Sequence, residues 1–353
     1  MSSFTLGLVI LGALVLAVLV AWNTWSMRRN TPRQPDAVAA AVARVDINVE
    51  PILGLEPGDG PARTEPVFDD TLTPLPLPEK KPGLDALIDV IAPIVLEALV
   101  SGEAALAALP PTRRAGSKPF AIEGWNEATQ HWETPHAGQR YAAFQAGVQL
   151  ANRTGALNEI EYSEFVVKTQ AFCDAVGGMA EIPEMRHEIA RARELDQFAS
   201  GHDAQLGFTL RARNAAWSPG YVQQNAARLG FLAGAMPGRL VLPAGEPGHP
   251  PVLGLSFDTQ AAMADDPAQS AIRDITLSVD VPQVERGEQP FDRLRDVAIT
   301  LAGAMDGVLT DDNGDIIRPD ALDGIAIDLE HLYDTLEARD LSAGSAQARR
   351  LFS

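Results

Sequence analysis

The first 30 residues contain the feature that most constrains the fold, an uncharged apolar run from Phe4 to Trp22. As a helix, this run would span about 28 Å, close to the hydrocarbon thickness of a bilayer. Basic residues follow the run at Arg28, Arg29 and Arg33, and none precedes it. The positive-inside rule therefore predicts a single membrane-spanning helix with its N-terminus outside and the rest of the chain in the cytoplasm.

A cleaved signal peptide is the alternative interpretation of this segment. A signal peptide carries its positive charge before the apolar run, whereas here the charge comes after it. We therefore predict an uncleaved transmembrane anchor over residues 1–30. The residues expected to contact the lipid bilayer or its interface are Phe4, Leu8, Leu11, Val15, Val18, Trp22 and Trp25.

Proline dominates the next stretch, residues 31–83, which contains ten of the chain's 26 prolines. Prolines at this density interrupt any long helix. The run from Pro74 to Pro78 alternates proline with leucine, which favours extended polyproline geometry. The composition predicts a disordered, Pro-rich and acidic linker between the anchor and the rest of the chain.

Residues 201–353 alternate apolar and polar side chains with the periods of strands and helices. Leu206, Phe208 and Leu210 mark a half-exposed strand, and Ser218 is placed to cap a following helix. The predicted elements form a βαβββα unit followed by a hairpin and a last helix. They are a strand at 203–211, a helix at 218–229, strands at 239–242, 252–257 and 275–281, a helix at 291–305, a hairpin at 308–317 and a helix at 319–338.

The same order of elements recurs upstream, in residues 84–200. Ile88–Ala92 aligns with Leu206–Leu210, the helix at 162–176 aligns with the helix ending at Met305, and Pro183 aligns with Pro319. Chance similarity of two α/β segments is the alternative to duplication. The predicted fold class is α+β, with two sandwich modules, 84–200 and 201–353, each an antiparallel sheet with helices on one face.

Charge and cysteine content exclude several classes of protein. With 28 Lys and Arg against 47 Asp and Glu, the net charge of −19 argues against a nucleic-acid partner. Cys173, the single cysteine, excludes an intramolecular disulfide framework and a Cys-based zinc site, and it favours a reducing compartment. Its position on the apolar stripe of a predicted helix indicates a buried structural thiol.

No catalytic or metal-binding pattern can be read from the sequence. Phosphate-cradling, nucleophile-elbow and zincin motifs are missing, and the carboxylates form no isolated apolar-flanked pair. His131 and His136 have no third ligand at a metal-site spacing, which favours a surface or packing role. Asp311–Asp315 superficially resembles a calcium loop, but its glycine is misplaced and a turn explains it better. We predict no enzyme, no cofactor and no metal.

Three segments of the C-terminal part resemble the ZipA family of bacterial cell-division proteins: Ile275–Pro282, Phe291–Asp312 and Ile316–Leu322. In that family these correspond to a strand ending in Val-Pro, a helix closing on Gly, a short strand ending in Asp-Asp, and a last helix opened by Pro. The resemblance covers about residues 201–341, together with the anchor and the linker by composition. The upstream module is then a degenerate second ZipA-like copy.

The resemblance implies a non-enzymatic protein of the bacterial inner membrane, with a periplasmic N-terminus and cytoplasmic domains. It would bind the C-terminal peptide of the tubulin-like FtsZ and tether FtsZ polymers to the membrane during septum formation, alongside other divisome proteins. The peptide would lie on the open face of the sheet. The positions that correspond to the family's groove are Gln205, Gly207, Thr209, Arg211, Met236, Leu255, Phe257 and Ser278.

The sequence departs from the family at this groove, and alternatives stay open. Several positions that are large and apolar in the family are polar or glycine here, and Arg211 and Arg213 are the nearest cations where the family has a lysine. The upstream module, with Leu87, Ile91 and Trp125, is an alternative binding surface. A membrane-anchored scaffold for a different protein, or a ferredoxin-like ligand-sensing domain, are the alternative functions.

Overall fold

The structure is a computed structural model that describes residues 32–35, 83–311 and 313–353. Asp312, most of the predicted linker and the anchor lie outside the described residues, and so do the lipid-contacting positions Phe4, Leu8, Leu11, Val15, Val18, Trp22 and Trp25. Among the described residues, no helix has both the length and the apolar character needed to cross a bilayer.

The described residues form two compact units, each assembled from separate stretches of the chain. The first-sheet unit contains residues 83–206, Val279–Asp292 and Arg318–Ser353. The second-sheet unit contains residues 32–35, Gly207–Ser278 and Arg293–Ile317. The predicted modules, 84–200 and 201–353, divide the sequence by repeated pattern and remain a prediction. The compact units follow different boundaries.

The first sheet is antiparallel, with the strand order β2-β3-β5-β1-β8 and with β4 also paired to β3. A separate short hairpin, β6-β7, follows β5. The elements are β1 Asp89–Ser101, α1 Gly102–Ala108, β2 Arg114–Ala115, β3 Lys118–Asn126, β4 His131–Glu133, β5 Arg140–Gln149, β6 Ala151–Asn152, β7 Gly155–Ala156, α2 Glu159–Val176, β8 Gly178–Ala180 and α3 Met185–His202.

Helix α2 shows why these residues form this unit. Asn158 accepts hydrogen bonds from the backbone N–H groups of Ile160 and Glu161, and the Glu161 side chain accepts from the Asn158 N–H, which completes a capping box. The helix buries an apolar stripe that includes Phe165 and Cys173. Cys173 is 5% exposed, which confirms the prediction that it is buried, and this burial raises the pKa of its thiol.

The second sheet is also antiparallel, with the order β10-β11-β12-β13-β9-β14. Its longer strands and helices follow the predicted order, with one strand and two short helices in addition, and the coarse prediction of an α+β fold is confirmed. In place of the second strand of the predicted hairpin at 308–317 there is a single bridge between Thr310 and Ile316. The elements are β9 Gln205–Ala212, α4 Pro219–Ala227, β10 Leu232–Ala233, β11 Arg239–Leu242, β12 Leu253–Ser256, α5 Thr259–Ala262, β13 Asp274–Asp280, α6 Pro290–Met305, β14 Gly307–Thr310, α7 Pro319–Glu337 and α8 Ala346–Leu351.

The two sheets share one arrangement of strands. In each, the first strand, β1 or β9, lies between the strand that precedes the long helix and the short strand that follows it. The long helices also end alike, because α2 is followed by Gly177 and α6 by Asp306, and both residues have positive φ, 66° and 55°. A glycine then opens the short strand in both sheets, at Gly178 and Gly307. Two copies of one βαβββα unit would share such an arrangement.

The core of the second-sheet unit is fixed around Trp217, which is fully buried. Its Nε1 donates to the Met305 carbonyl oxygen at 2.8 Å, and its backbone N–H donates to the Ile272 carbonyl. The backbone N–H of Arg33 donates to the Ala216 carbonyl oxygen. Residues 32–35 are thereby held against the unit that contains the second sheet.

Candidate peptide-binding faces

The second sheet has one covered and one open face, and most of the predicted groove lies on the open one. Along β9, Phe208 and Leu210 are buried, while the alternate positions Gly207, Thr209 and Arg211 are half-buried or exposed. Ser278 on β13 is exposed as well. Met236 is exposed, but it lies in the loop between β10 and β11 and not on a strand.

The structure corrects the placement of Leu255 and Phe257. Leu255 is 1% exposed, Phe257 is 8% exposed, and Leu255 pairs across β12 and β13 with the buried Leu277. Because side chains alternate along a strand, residues opposite a buried partner share its face. Both residues therefore belong to the core, and the positions of β12 that alternate with Leu255 are Gly254 and Ser256.

The open face of the second sheet is polar along β12, β13 and β9, whereas Leu232 and Val241, cross-strand neighbours at its β10–β11 edge, are apolar. A Cβ added to Gly254 would lie 2.9 Å from Ser278 Oγ, so glycine and hydroxyl groups fill this part of the face. Arg211 Nε donates to Asp274 Oδ1 at 2.8 Å, and this hydrogen bond raises the pKa of Arg211. The central part of the face that was predicted to bind the peptide thus offers hydroxyl groups, glycines and an exposed ion pair, as the sequence indicated.

Gln205, the remaining predicted groove residue, is part of the first-sheet unit. There, Arg153 forms two hydrogen bonds to Asp203 and two to Asp280, at 2.6–2.8 Å. With its amide oxygen towards Arg153, Gln205 accepts from this guanidinium at 2.9 and 3.2 Å. Its amide oxygen is committed to this charged cluster, which does not resemble a site for an apolar peptide.

The open face of the first sheet carries a row of apolar side chains that crosses five strands. Direct cross-strand neighbours are Trp132 with Trp125, Trp125 with Ala143, Ala143 with Val95, and Val95 with Met179. We call these five residues the apolar row. Val95 is 69% and Met179 78% exposed, and the other three are half-buried. The two tryptophan rings meet edge to face, with centroids 5.5 Å apart.

A polar network holds strand β4, which carries one end of the apolar row. Glu133 Oε1 accepts from Asn126 Nδ2 at 2.7 Å and from the Tyr141 hydroxyl at 3.0 Å. His131 and His136 approach the two Glu133 oxygens at 3.4 and 3.5 Å. Among the described residues, no group of three His, Cys, Asp or Glu side chains is placed to hold a metal ion. The histidine pair flanks the carboxylate that fixes Trp132.

The chain enters the first sheet beside the apolar row. The Leu84 backbone N–H donates to Glu123 Oε1 at 3.0 Å, and Gln145 Nε2 donates to Glu123 Oε2 at 2.8 Å. Glu123 and Gln145 are cross-strand partners two residues from Trp125 and Ala143. The Leu84 side chain lies over Gly147, where an added Cβ would be 2.5 Å from Leu84 Cδ2. Leu84 thus covers one part of this face and leaves the row uncovered.

The three residues that the sequence suggested as an alternative binding surface, Leu87, Ile91 and Trp125, lie at different places. Trp125 is a member of the apolar row. Ile91 is half-buried opposite Gly147, four residues along β1 from Val95, and Leu87 lies in the turn before β1. Sequence reasoning thus identified one of the five residues of the apolar row, Trp125. A second, Trp132, could have been identified because a turn between the two tryptophans would place them opposite each other on neighbouring strands.

The acidic segment at Asp311 forms a turn, as predicted. Asp311 Oδ1 accepts from the backbone N–H groups of Asn313 at 2.9 Å and Asp315 at 2.8 Å. Gly314 has a φ of 86° and its N–H donates to the Asp311 carbonyl oxygen. The carboxylate therefore organises the backbone of the turn itself.

Comparison with models of known protein families gave no match to this chain, and comparison with curated protein sequences gave no significant one. Function is therefore inferred from the two sheet faces.

Proposed function

We propose that this chain is a ZipA-like membrane tether that binds the C-terminal peptide of FtsZ, and that the apolar row of the first sheet is its binding surface. The observation that carries the proposal is the row itself, five apolar side chains aligned across an open sheet face. The open face of the second sheet lies where the peptide groove was predicted, but its side chains are mostly polar. The binding surface of the proposed function is therefore in the upstream module.

The dimensions of the apolar row suit a short extended peptide. Five strands at about 4.8 Å spacing give a row of about 19 Å, the length of about six extended residues. Burying Val95 and Met179, which are 69% and 78% exposed, contributes about 1–2 kcal/mol each. Tryptophan is a frequent energetic anchor of interfaces, and Trp125 and Trp132 provide two. These terms support binding through a few apolar anchors.

The proposed tether combines this surface with the predicted anchor and linker. An N-out helix over residues 1–30 would hold the chain in the bacterial inner membrane, and residues 31–83 would give the cytoplasmic units reach. Confinement to the membrane raises the local concentration of a weak binder towards a polymer that displays many copies of one peptide. The shared strand order of the two sheets supports duplication of one ZipA-like module as the origin of both.

A titration of the full-length chain in lipid nanodiscs with the FtsZ C-terminal peptide tests this function. The Met179→Asp variant places a charge in the apolar row, and we expect at least a tenfold loss of affinity. Met263→Asp is the matched control, because Met263, the residue that follows α5, is 67% exposed and lies outside the row. Absence of binding to the unmodified chain at millimolar peptide contradicts the FtsZ assignment. Equal affinities of the two variants contradict the role of the row.

A scaffold for a different protein is the second candidate, favoured by the polar open face of the second sheet. Gly207 allows a partner backbone to approach this face closely, because an added Cβ there would have no neighbouring atom nearer than 3.8 Å. The charge-reversal pair Arg211→Glu and Arg213→Glu tests its involvement. If the pair leaves FtsZ-peptide affinity unchanged while Met179→Asp lowers it, the second face is free for another partner.

A further inference from the structure

The path of the chain into the first sheet points towards the apolar row. Leu84 lies over Gly147, and an added Cβ on Gly83 would be 3.0 Å from Glu123 Oε1. From Leu84 back to Gly83, the chain therefore passes from Gly147 towards the Glu123–Gln145 pair. The apolar row is the next row on this face, about 7 Å further along the strands. The residues before Gly83 thus begin beside the row.

The sequence immediately before Gly83 has the chemistry that an aromatic surface binds. Pro74–Pro78 alternates proline and leucine, and segments with polyproline geometry bind grooves lined by aromatic rings with little entropic cost. Trp125 and Trp132 provide such rings. Four residues lie between Pro78 and Gly83, so the chain can span up to about 17 Å between them. The tract can therefore lie on the row of its own chain.

Charge favours the same placement. Lys80 and Lys81 are the basic residues between this tract and Gly83. On the sheet, Glu97 is exposed two residues along β1 from Val95. Opposite charges on a short connection add to the local attraction between tract and sheet, and salt screens this part.

We propose that the proline-leucine tract Pro74–Pro78 binds the apolar row of the same chain and covers Trp125 and Trp132. Binding of the tract is independent of the identity of the partner. Its consequence, competition with the FtsZ peptide, rests on the proposed function. A short linker gives an effective concentration in the millimolar range. A tract with a dissociation constant of about 0.1 mM would therefore lower the apparent affinity of a competing peptide about tenfold.

Acrylamide quenching of tryptophan fluorescence tests tract binding in the full chain in nanodiscs. A Trp22→Phe, Trp25→Phe background leaves Trp125, Trp132 and the fully buried Trp217 as reporters. Serine in place of all five residues of the tract is expected to raise the quenching constant about twofold. Serine at the upstream prolines Pro57, Pro61 and Pro66 is the matched control and is expected to leave quenching unchanged.

A synthetic peptide of residues 72–83, added to the serine-tract variant, is expected to restore protection. Met179→Asp is expected to prevent this rescue. Equal quenching of the unmodified chain and the serine-tract variant would overturn the inference. Protection of the tryptophans from quenching that depends on protein concentration would also overturn the inference, since a second copy of the chain would then cover the row.

The FtsZ titration separates this inference from the proposed function. If the serine-tract variant is quenched more strongly but neither chain binds the FtsZ peptide, tract binding stands and the FtsZ assignment fails. If both chains bind the peptide with equal affinity and are quenched equally, the FtsZ assignment stands and tract binding is wrong. If tract binding and the FtsZ assignment are both correct, the serine-tract variant binds the FtsZ peptide about tenfold more tightly than the control variant.

Discussion

The buried ion pair between Asp89 and Arg350 allows a quantitative test of how the C-terminal helix α8 is held in the first-sheet unit. Arg350 Nη2 lies 2.5 Å from Asp89 Oδ1, and Nη1 lies 2.9 Å from Oδ2. The Asp89 side chain is fully buried. Arg350→Met leaves its carboxylate bonded to the Asp85 backbone N–H. Removing one partner of a buried pair costs about 3–5 kcal/mol.

The pH dependence of this loss follows from the Asp89 carboxyl. Burial raises its pKa, although the hydrogen bond and charge of Arg350 oppose the rise. Because the Asp89 carboxyl has a higher pKa in the folded chain than in the unfolded chain, its ionisation lowers the free energy of unfolding as pH rises from the unfolded pKa through the folded pKa. Below the unfolded pKa the carboxyl is protonated in both states, and this loss is absent. Without Arg350 the pKa rises further. The variant should therefore be most destabilised at pH 8 and less so at pH 5.

Equilibrium urea denaturation of the full chain at both pH values, followed by far-UV circular dichroism, measures the difference. Arg211→Met is the matched control, because Arg211 pairs with Asp274 on the surface, where ion pairs contribute little. Asp89→Asn combined with Arg350→Met should recover part of the loss, since no unpaired charge stays buried. A loss below about 1 kcal/mol for Arg350→Met, or an equal loss at pH 5 and pH 8, would refute the reasoning.

Three further changes test the packing of the two units. Trp217→Phe removes the hydrogen bond to the Met305 carbonyl and should cost about 1–3 kcal/mol in urea denaturation. Gly102→Ala places a Cβ 1.9 Å from the His136 carbonyl oxygen and should lower the melting temperature, whereas a neutral result would show that this loop yields. Burial lowers the pKa of Lys118 below its ordinary 10.5, so the unfolded chain binds more protons between the two values. The stability of the unmodified chain relative to Lys118→Met should therefore rise with pH in that range.

The second sheet could be predicted from the sequence because its strands alternate cleanly. In β13, Ile275, Leu277 and Val279 are buried while Thr276 and Ser278 are not, and a period of two is a local signal that needs no knowledge of neighbours. Which face of the sheet each strand position occupies is harder to predict. Aligning β12 residue by residue with the corresponding strand of the family assigned Leu255 and Phe257 to the open face, whereas both lie in the core.

The apolar row could not be predicted because register, which is not local, brings its members together. Its five residues come from five strands, between Val95 and Met179 in the chain. On β1, Ile94, Val95 and Leu96 are consecutive apolar residues, so alternation does not show which of them faces solvent. The 69% exposure of Val95 assigns it to the open face, and its pairings with Ala143 and Met179 place it in the row.

Corresponding positions in the two sheets explain why their open faces differ. Met179 follows Gly178 at the start of β8, and Val308 follows Gly307 at the start of β14. The cross-strand partner of Met179 is Val95, whereas the partner of Val308 is Arg211. An apolar pair in one sheet thus corresponds to a pair with a cation in the other, and that cation is bound to Asp274. Because a charged side chain must lose water to accept an apolar anchor, we expect Val95→Arg to abolish peptide binding at the row and Arg211→Val to be insufficient to create it.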